Sequence, residues 1–191
     1  MIPRISDFKK KRSNFTNKYK VFSWNEIAFS DEKNFGLQPE TIKLNDRICS
    51  LISEEVSPVK VSKFPSIVMV WGFIARKGVG PLIFVDEKIN LTTYTSILKN
   101  NAIPRLNEMF GERQWILQQD GATPHTSKTT QVFLQENRIK FISKEDWPPD
   151  SPNLNPIKDI WGVMVQELNK TRIRTADDKR EKIKQLWSKI K

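Results

Sequence analysis

Two aspartates in this sequence close apolar runs, and a proline-rich segment leads into a helix that opens with a lysine. Asp31 follows Ile27-Ala28-Phe29-Ser30, and Asp120 follows Trp115-Ile116-Leu117-Gln118-Gln119. Each run has the composition of a buried strand, so each carboxylate belongs at a strand end, where side chains from separate strands converge. A divalent cation held between them would offset their repulsion. Two-metal phosphodiester chemistry needs one acid more, because each hard cation takes anionic oxygen ligands and one carboxylate must bridge both. The place for that acid is the helix after Ser151-Pro152-Asn153-Leu154-Asn155-Pro156-Ile157. That place holds Lys158, with 37 residues between it and Asp120.

The elements that must position these residues follow from patterning. A first strand over 26–31 continues past a kink into 35–37, and 67–75 with 81–85 form a hairpin about Lys77-Gly78-Val79-Gly80. A helix over 91–110 carries Leu91, Tyr94, Ile97, Leu98, Ile103 and Leu106 roughly in phase and is interrupted near Pro104. Residues 115–119 make a fourth strand, 127–136 a helix with Thr126-Ser127 as its N-cap, and 138–142 a short fifth strand. Strands giving way to alternating helices imply an α/β fold with a mixed sheet.

Residues 143–156 hold Pro148, Pro149, Pro152 and Pro156 and form a stiff strap. In the helix that follows, Asn155 is the expected N-cap and Pro156 the first helical residue, while Ile157, Ile160, Trp161, Met164, Val165 and Leu168 form the apolar stripe. At about 100° per residue, Lys158 lies at the edge of that stripe and Asp159 nearly opposite it, toward solvent. A register shift or a π-bulge would be needed to bring Asp159 to the site as a third acid, with Asp150 a weaker substitute. A Glu at 158 could complete a capping box with Asn155; lysine cannot. A last helix runs over 176–190, with Ile183, Leu186, Trp187 and Ile190 inward.

A chain of 191 residues, 38% apolar, supports one domain with a real core. The longest apolar run is too short to span a bilayer, and no signal sequence opens the chain, which points to a soluble intracellular protein. Cys49 is the only cysteine and His125 the only histidine, so one chain builds neither a disulfide framework nor a zinc site, and any metal is held by oxygen. The net charge of +10 is uneven: residues 1–20 and 170–191 carry +6 each, the middle −2. Basic ends about an acidic centre fit a DNA path over a metal-binding cleft, although lysine-rich termini are also often merely solvated.

Four blocks carry a family resemblance: Ser30-Asp31-Glu32-Lys33-Asn34-Phe35; Val70-Trp71-Gly72; Gln118-Gln119-Asp120-Gly121-Ala122-Thr123-Pro124-His125-Thr126-Ser127; and Asp146-Trp147-Pro148-Pro149-Asp150-Ser151-Pro152-Asn153-Leu154-Asn155-Pro156-Ile157 with Trp161-Gly162. In this order they resemble the catalytic domain of mariner-type DNA transposases, over residues 11–190. The resemblance implies a ribonuclease H-like mixed sheet with helices on both faces. It implies an Asp, Asp, Glu/Asp triad whose members match Asp31, Asp120 and Lys158, so the third acid is replaced, and Asn153 stands where the family usually carries Asp. It further implies Mg²⁺ or Mn²⁺ at a two-metal site, with Asp31 and Asp120 as ligands and the second metal put in question by Lys158. Double-stranded DNA as partner, possible homodimers, no nucleotide cofactor and a nuclear location follow in the same way.

On that basis residues 1–22 read as a basic lead-in and 23–191 as the catalytic domain, with no room for the helix-turn-helix units that recognise transposon ends. Lys9-Lys10-Lys11-Arg12 reads as a DNA-backbone or nuclear-localisation patch, or as a solvated run. His125 either contacts DNA phosphate or positions water near the metal, or it hydrogen-bonds locally and orders its own loop. Glu32, one residue past Asp31, points to the other face of its strand and is placed outside the metal's ligands. The six tryptophans read as core, with Trp147 in the strap the exception to watch. Two functions compete: a metal-dependent transposase domain impaired by Lys158, and a non-catalytic descendant that keeps DNA affinity.

Overall fold

The central strand, β1 (Ile27–Gly36), buries residues on both of its faces, which requires a helical layer on each side. In the computed structural model, which describes residues 5–20, 24–36, 67–148, 151–171 and 173–190, both layers are present. Leu37, Cys49 and Asp150 lie outside the described residues. β1 pairs antiparallel with β2 (Ile67–Ala75) and parallel with β5 (Ile116–Gln118), and β5 pairs parallel with β6 (Lys140–Phe141). On the other side of β2, β3 (Gly78–Val79) and β4 (Ile83–Val85) both pair antiparallel with it. The sheet is therefore mixed, as strands followed by alternating helices imply.

One face buries Ala28, Trp71, Phe73 and Leu117 under α2 (Leu91–Ile97), α3 (Ile103–Phe110) and α5 (Lys128–Glu136). The opposite face buries Phe35, Val68 and Val70 under α6 (Ile157–Asn169) and α7 (Ala176–Ser188), and Ile27, Phe29 and Ile116 under α1 (Ile5–Tyr19). Odd-numbered β1 residues look toward α1, α6 and α7; even-numbered ones look the other way. Asp31 and Glu32 thus leave the same strand on opposite sides. No helix among the described residues is long and apolar enough to cross a membrane.

Phe15 and Tyr19 bury α1 against the sheet while its lysines face outward. Two local expectations need correction. The first strand has no kink: its pairing with β2 is unbroken from Ala28 opposite Ala75 to Gly36 opposite Ile67. And Asn155 does not cap α6 with its side chain; its amide donates to the Ser30 carbonyl, 3.2 Å away, and only its backbone carbonyl accepts from the Lys158 N–H, at 3.0 Å. The interruption at Pro104 takes the form of a π-helical turn over Leu98–Ala102, where the Ile103 N–H bonds back to Leu98 O. Proline removes a donor and crowds the preceding turn, and the wider turn absorbs both effects.

Candidate functional site

Asp31 is paired across β1 and β2 with Gly72, and that glycine sets how close the helices come. A Cβ at Gly72 would lie 3.2 Å from the Trp187 ring and 3.4 Å from Trp161. The two indoles, on α7 and α6, stack with centroids 5.0 Å apart at 22°. With Trp161 held on the glycine, Lys158 three residues earlier on α6 comes over Asp31. Its ammonium nitrogen lies 2.9 Å from Oδ1 and 2.9 Å from Oδ2 of that carboxylate. Asp31 is 5% exposed. Burial lifts its pKa above the ordinary carboxylate value, the Lys158 hydrogen bonds and charge oppose that, and the net direction is upward.

Parallel pairing of β1 with β5 ends at Phe29 opposite Gln118, and two residues further on each strand bring Asp31 and Asp120 to the same end of the sheet. Asp120 Oδ1 accepts from the Ala122 N–H at 2.9 Å, an Asx turn that starts the short helix α4 (Thr123–Thr126). The same oxygen lies 2.7 Å from His125 Nδ1. Partial burial pushes Asp120 up, but the His125 and Ala122 hydrogen bonds and the nearby positive charges hold it below the usual carboxylate range.

His125 is 3% exposed and stands between two carboxylates, with its Nε2 3.0 Å from Glu32 Oε1. Its ring packs on that of Tyr94 with centroids 4.1 Å apart. Burial by itself would lower the imidazole pKa; the bonds to Asp120 and Glu32 outweigh it and push it up to about 9. Ligand-type atoms of Glu32, Asp120 and His125 lie within 4.8 Å of one another. Both ring nitrogens face carboxylate oxygens, so the cluster is a chain of ion pairs and not an open cage.

Glu32 leaves the strand opposite Asp31, as alternation along a strand requires, and the loop after Asp120 folds to that side of the sheet and carries His125 to it. The Pro124-His125 pair following an acid was the available signal. Asp159, the alternative third acid, is exposed on the first turn of α6. Lys9, Lys10 and Lys11 are exposed on α1, whereas Arg12 donates through Nε to Ser151 Oγ at 2.8 Å. A groove of about 620 Å³ beside Asp120 is lined by Lys11, Lys144, Trp147, Asn155 and Lys158 among others. Trp147 meets Phe15 edge-on with centroids 5.4 Å apart, so it serves the seam between α1 and the strap while also facing the groove.

Of the four carboxylate oxygens on Asp31 and Asp120, only Asp120 Oδ2 has no hydrogen-bond partner among the described residues. A pair of divalent cations does not fit the residues as placed: the Lys158 ammonium spans both oxygens of Asp31, and His125 and the Ala122 N–H occupy Asp120 Oδ1. One cation shared by Asp31 and Asp120 fits only if that ammonium swings away.

Comparison with known proteins gives the context of this geometry. The family of DDE superfamily endonucleases matches residues 26–180. The Transposable element Tc3 transposase of Caenorhabditis elegans is 32% identical over 162 residues, 84% of this chain and 47% of that protein. Among solved structures, the catalytic domain of Mos1 mariner transposase superposes with a TM-score of 0.69 at 16% identity, covering 99% of this chain and 84% of that one. A Mos1 mariner paired end complex with Mn superposes with a TM-score of 0.73 at 16% identity, covering 98% and 56%. These structures show the fold, a ribonuclease H-like mixed sheet with helices on both faces. The chain spans about half the length of the curated relative it matches.

Proposed function

Because the chain belongs to the DDE superfamily of endonucleases and has the fold of a mariner-type transposase catalytic domain, we propose that it is a DNA-binding transposase core in which Lys158 disables two-metal strand cleavage. One observation carries this reading: the Lys158 ammonium on both oxygens of Asp31. A fixed cation there supplies the charge that a metal would bring, but it offers no empty coordination position and cannot activate water. It also repels a divalent ion from the neighbouring carboxylate.

Double-stranded DNA is the partner that the surface favours. Lys9, Lys10 and Lys11 project from α1, and Lys11 joins Lys144, Trp147 and Lys158 along the groove beside Asp120. Cations along a groove bind phosphates without regard to sequence. The likeness to a paired end complex supports a homodimer on DNA, and DNA as partner supports a nuclear location. The Mn of that complex and the Mg of another Mos1 paired end complex support Mn²⁺ or Mg²⁺ as the ion, with Asp31 and Asp120 the residues to hold one here once Lys158 is displaced.

Cleavage decides between this reading and an active enzyme. Supercoiled plasmid incubated with Mn²⁺ should stay intact with the parent chain, be nicked by Lys158→Glu, and stay intact again with Lys158→Glu/Asp31→Asn. A parent that nicks as fast as Lys158→Glu, and loses the activity in Asp159→Asn, overturns the proposal and makes Asp159 the third acid.

A further inference from the structure

We propose that Glu32 is a positioning residue for Asp120, acting through His125: the buried imidazole links two part-exposed carboxylates in a relay that fixes one carboxylate oxygen of Asp120 and leaves the other to face the cleft. This assigns a role to two side chains that neither the acid triad nor DNA contact uses. It rests on the reading above only where Mn²⁺ binding is used to test it.

The imidazole is constrained on every side. His125 N–H donates to Ala122 O at 3.0 Å, and its carbonyl accepts from Gln131 Nε2 at 2.8 Å. The ring lies against Tyr94, which is fully buried and is itself held by a 2.6 Å hydrogen bond to Gln119 Oε1. The backbone of His125 is thus tied down and one face of its ring is covered. Its Nδ1 then meets Asp120 Oδ1 at 2.7 Å and its Nε2 meets Glu32 Oε1 at 3.0 Å. Each ring nitrogen thus lies within hydrogen-bond distance of a different carboxylate, and the imidazole bridges the two acids.

This arrangement does to Asp120 what an outer partner does to a metal-binding side chain, fixing its rotamer and the oxygen it presents. Asp120 Oδ1 takes the Ala122 N–H and the imidazole, and Oδ2 remains without a partner among the described residues. Without the Glu32 carboxylate, Nε2 would lose its charged partner and the ring's grip on Asp120 would weaken. The relay also ties β1 to the loop after β5 on the face away from Lys158. The two residues Asp31 and Glu32 thus serve opposite sides of the same site: Asp31 takes Lys158, and Glu32 steadies Asp120.

The test uses the 191-residue chain and the isosteric change Glu32→Gln. In metal-free buffer, Glu32→Gln should displace the His125 Nε2 resonance in nitrogen-15 NMR together with the Asp120 carboxyl-carbon resonance. An Asp120 resonance that stays in place overturns the proposal. Mn²⁺ titration in the Lys158→Glu background gives the second readout, where adding Glu32→Gln should weaken binding about tenfold. A lower melting temperature with the Asp120 resonance and Mn²⁺ affinity unmoved would make Glu32 merely structural and also overturns it. If Lys158→Glu binds no Mn²⁺, the reading of Lys158 fails, while the resonances still decide the relay.

Discussion

Lys158 and Asp31 are joined by two hydrogen bonds of 2.9 Å, one to each carboxylate oxygen, from the first turn of α6 to the centre of β1. The contact is asymmetric in burial, since the Asp31 side chain is 5% exposed and that of Lys158 39%. Asp31 therefore depends on the lysine far more than the lysine depends on Asp31: a buried carboxylate without a partner is costly, and a half-exposed ammonium can turn to water.

Lys158→Glu should accordingly destabilise the metal-free chain. The change removes Asp31's partner and sets a second carboxylate against it. No capping box with Asn155 compensates, because the Asn155 amide is committed to Ser30 O. A loss of about 1–3 kcal/mol is expected in EDTA. Millimolar Mn²⁺ should restore most of it, while hardly moving the parent. Thermal unfolding of both chains with and without Mn²⁺ checks this; a variant more stable than the parent in EDTA would contradict it.

His125 makes stability depend on pH in a definite direction. Its pKa is raised from 6.5 to about 9 in the folded chain, so the proton is bound more tightly folded than unfolded. That contribution is complete below about pH 6.5 and is lost as pH rises through about 9. Asp120 works in the opposite direction: its pKa is lowered by His125 and the Ala122 N–H after burial is overcome, so its contribution is present above the ordinary carboxylate value and disappears in acid. Urea unfolding in EDTA should show a loss of order 1–3 kcal/mol between pH 6 and pH 9.5. His125→Gln should be less stable at pH 6 and nearly flat across that interval. An unchanged slope in the variant would assign the dependence to other groups.

Much of this site was legible because its residues sit on strongly patterned elements. Asp120 follows the end of its strand as the apolar run implies, whereas Asp31 lies mid-strand because β1 runs on to Gly36; the two come near each other because β5 stops at Gln118, opposite Phe29. The α6 stripe placed Lys158 at its edge, and the structure sets that edge against Asp31. What was not legible came from tertiary contacts with no local period. Phe15 and Tyr19 dock α1 although lysines dominate its composition. Asn155 has a cap residue's identity but meets a better acceptor in Ser30 O. The link from Glu32 to His125 joins residues 93 apart in sequence. No windowed pattern registers a contact of that range.

Gly80 should tolerate no side chain. Its backbone crosses the Phe73 ring so closely that a Cβ would overlap it, and Phe73 is fully buried with no room to turn. Gly80 O also accepts from Trp187 Nε1 at 2.9 Å, which anchors α7 over the sheet. Gly80→Ala should cost about 1–3 kcal/mol by overpacking. Gly121→Ala is the control, since a Cβ there meets nothing within 4 Å. Equal unfolding midpoints for the two variants would refute the packing argument.

The basic residues of α1 should divide between DNA binding and stability. Lys9, Lys10 and Lys11 are exposed, and Lys11 lines the groove beside Asp120. Arg12 is only half-exposed and holds Ser151 of the strap at 2.8 Å. Each lysine that neutralises a duplex phosphate contributes about 0.9 to the slope of log affinity against log salt. Binding of a random duplex, titrated from 50 to 200 mM salt, should therefore lose up to about 2.7 of that slope when all three lysines become alanine, with the melting temperature nearly unchanged. Arg12→Ala should instead lower the melting temperature by loosening the strap that leads to Lys158. A salt slope untouched by the triple change would move the DNA path off α1, and a strong preference for one duplex sequence would show that base edges, not phosphates alone, are being read.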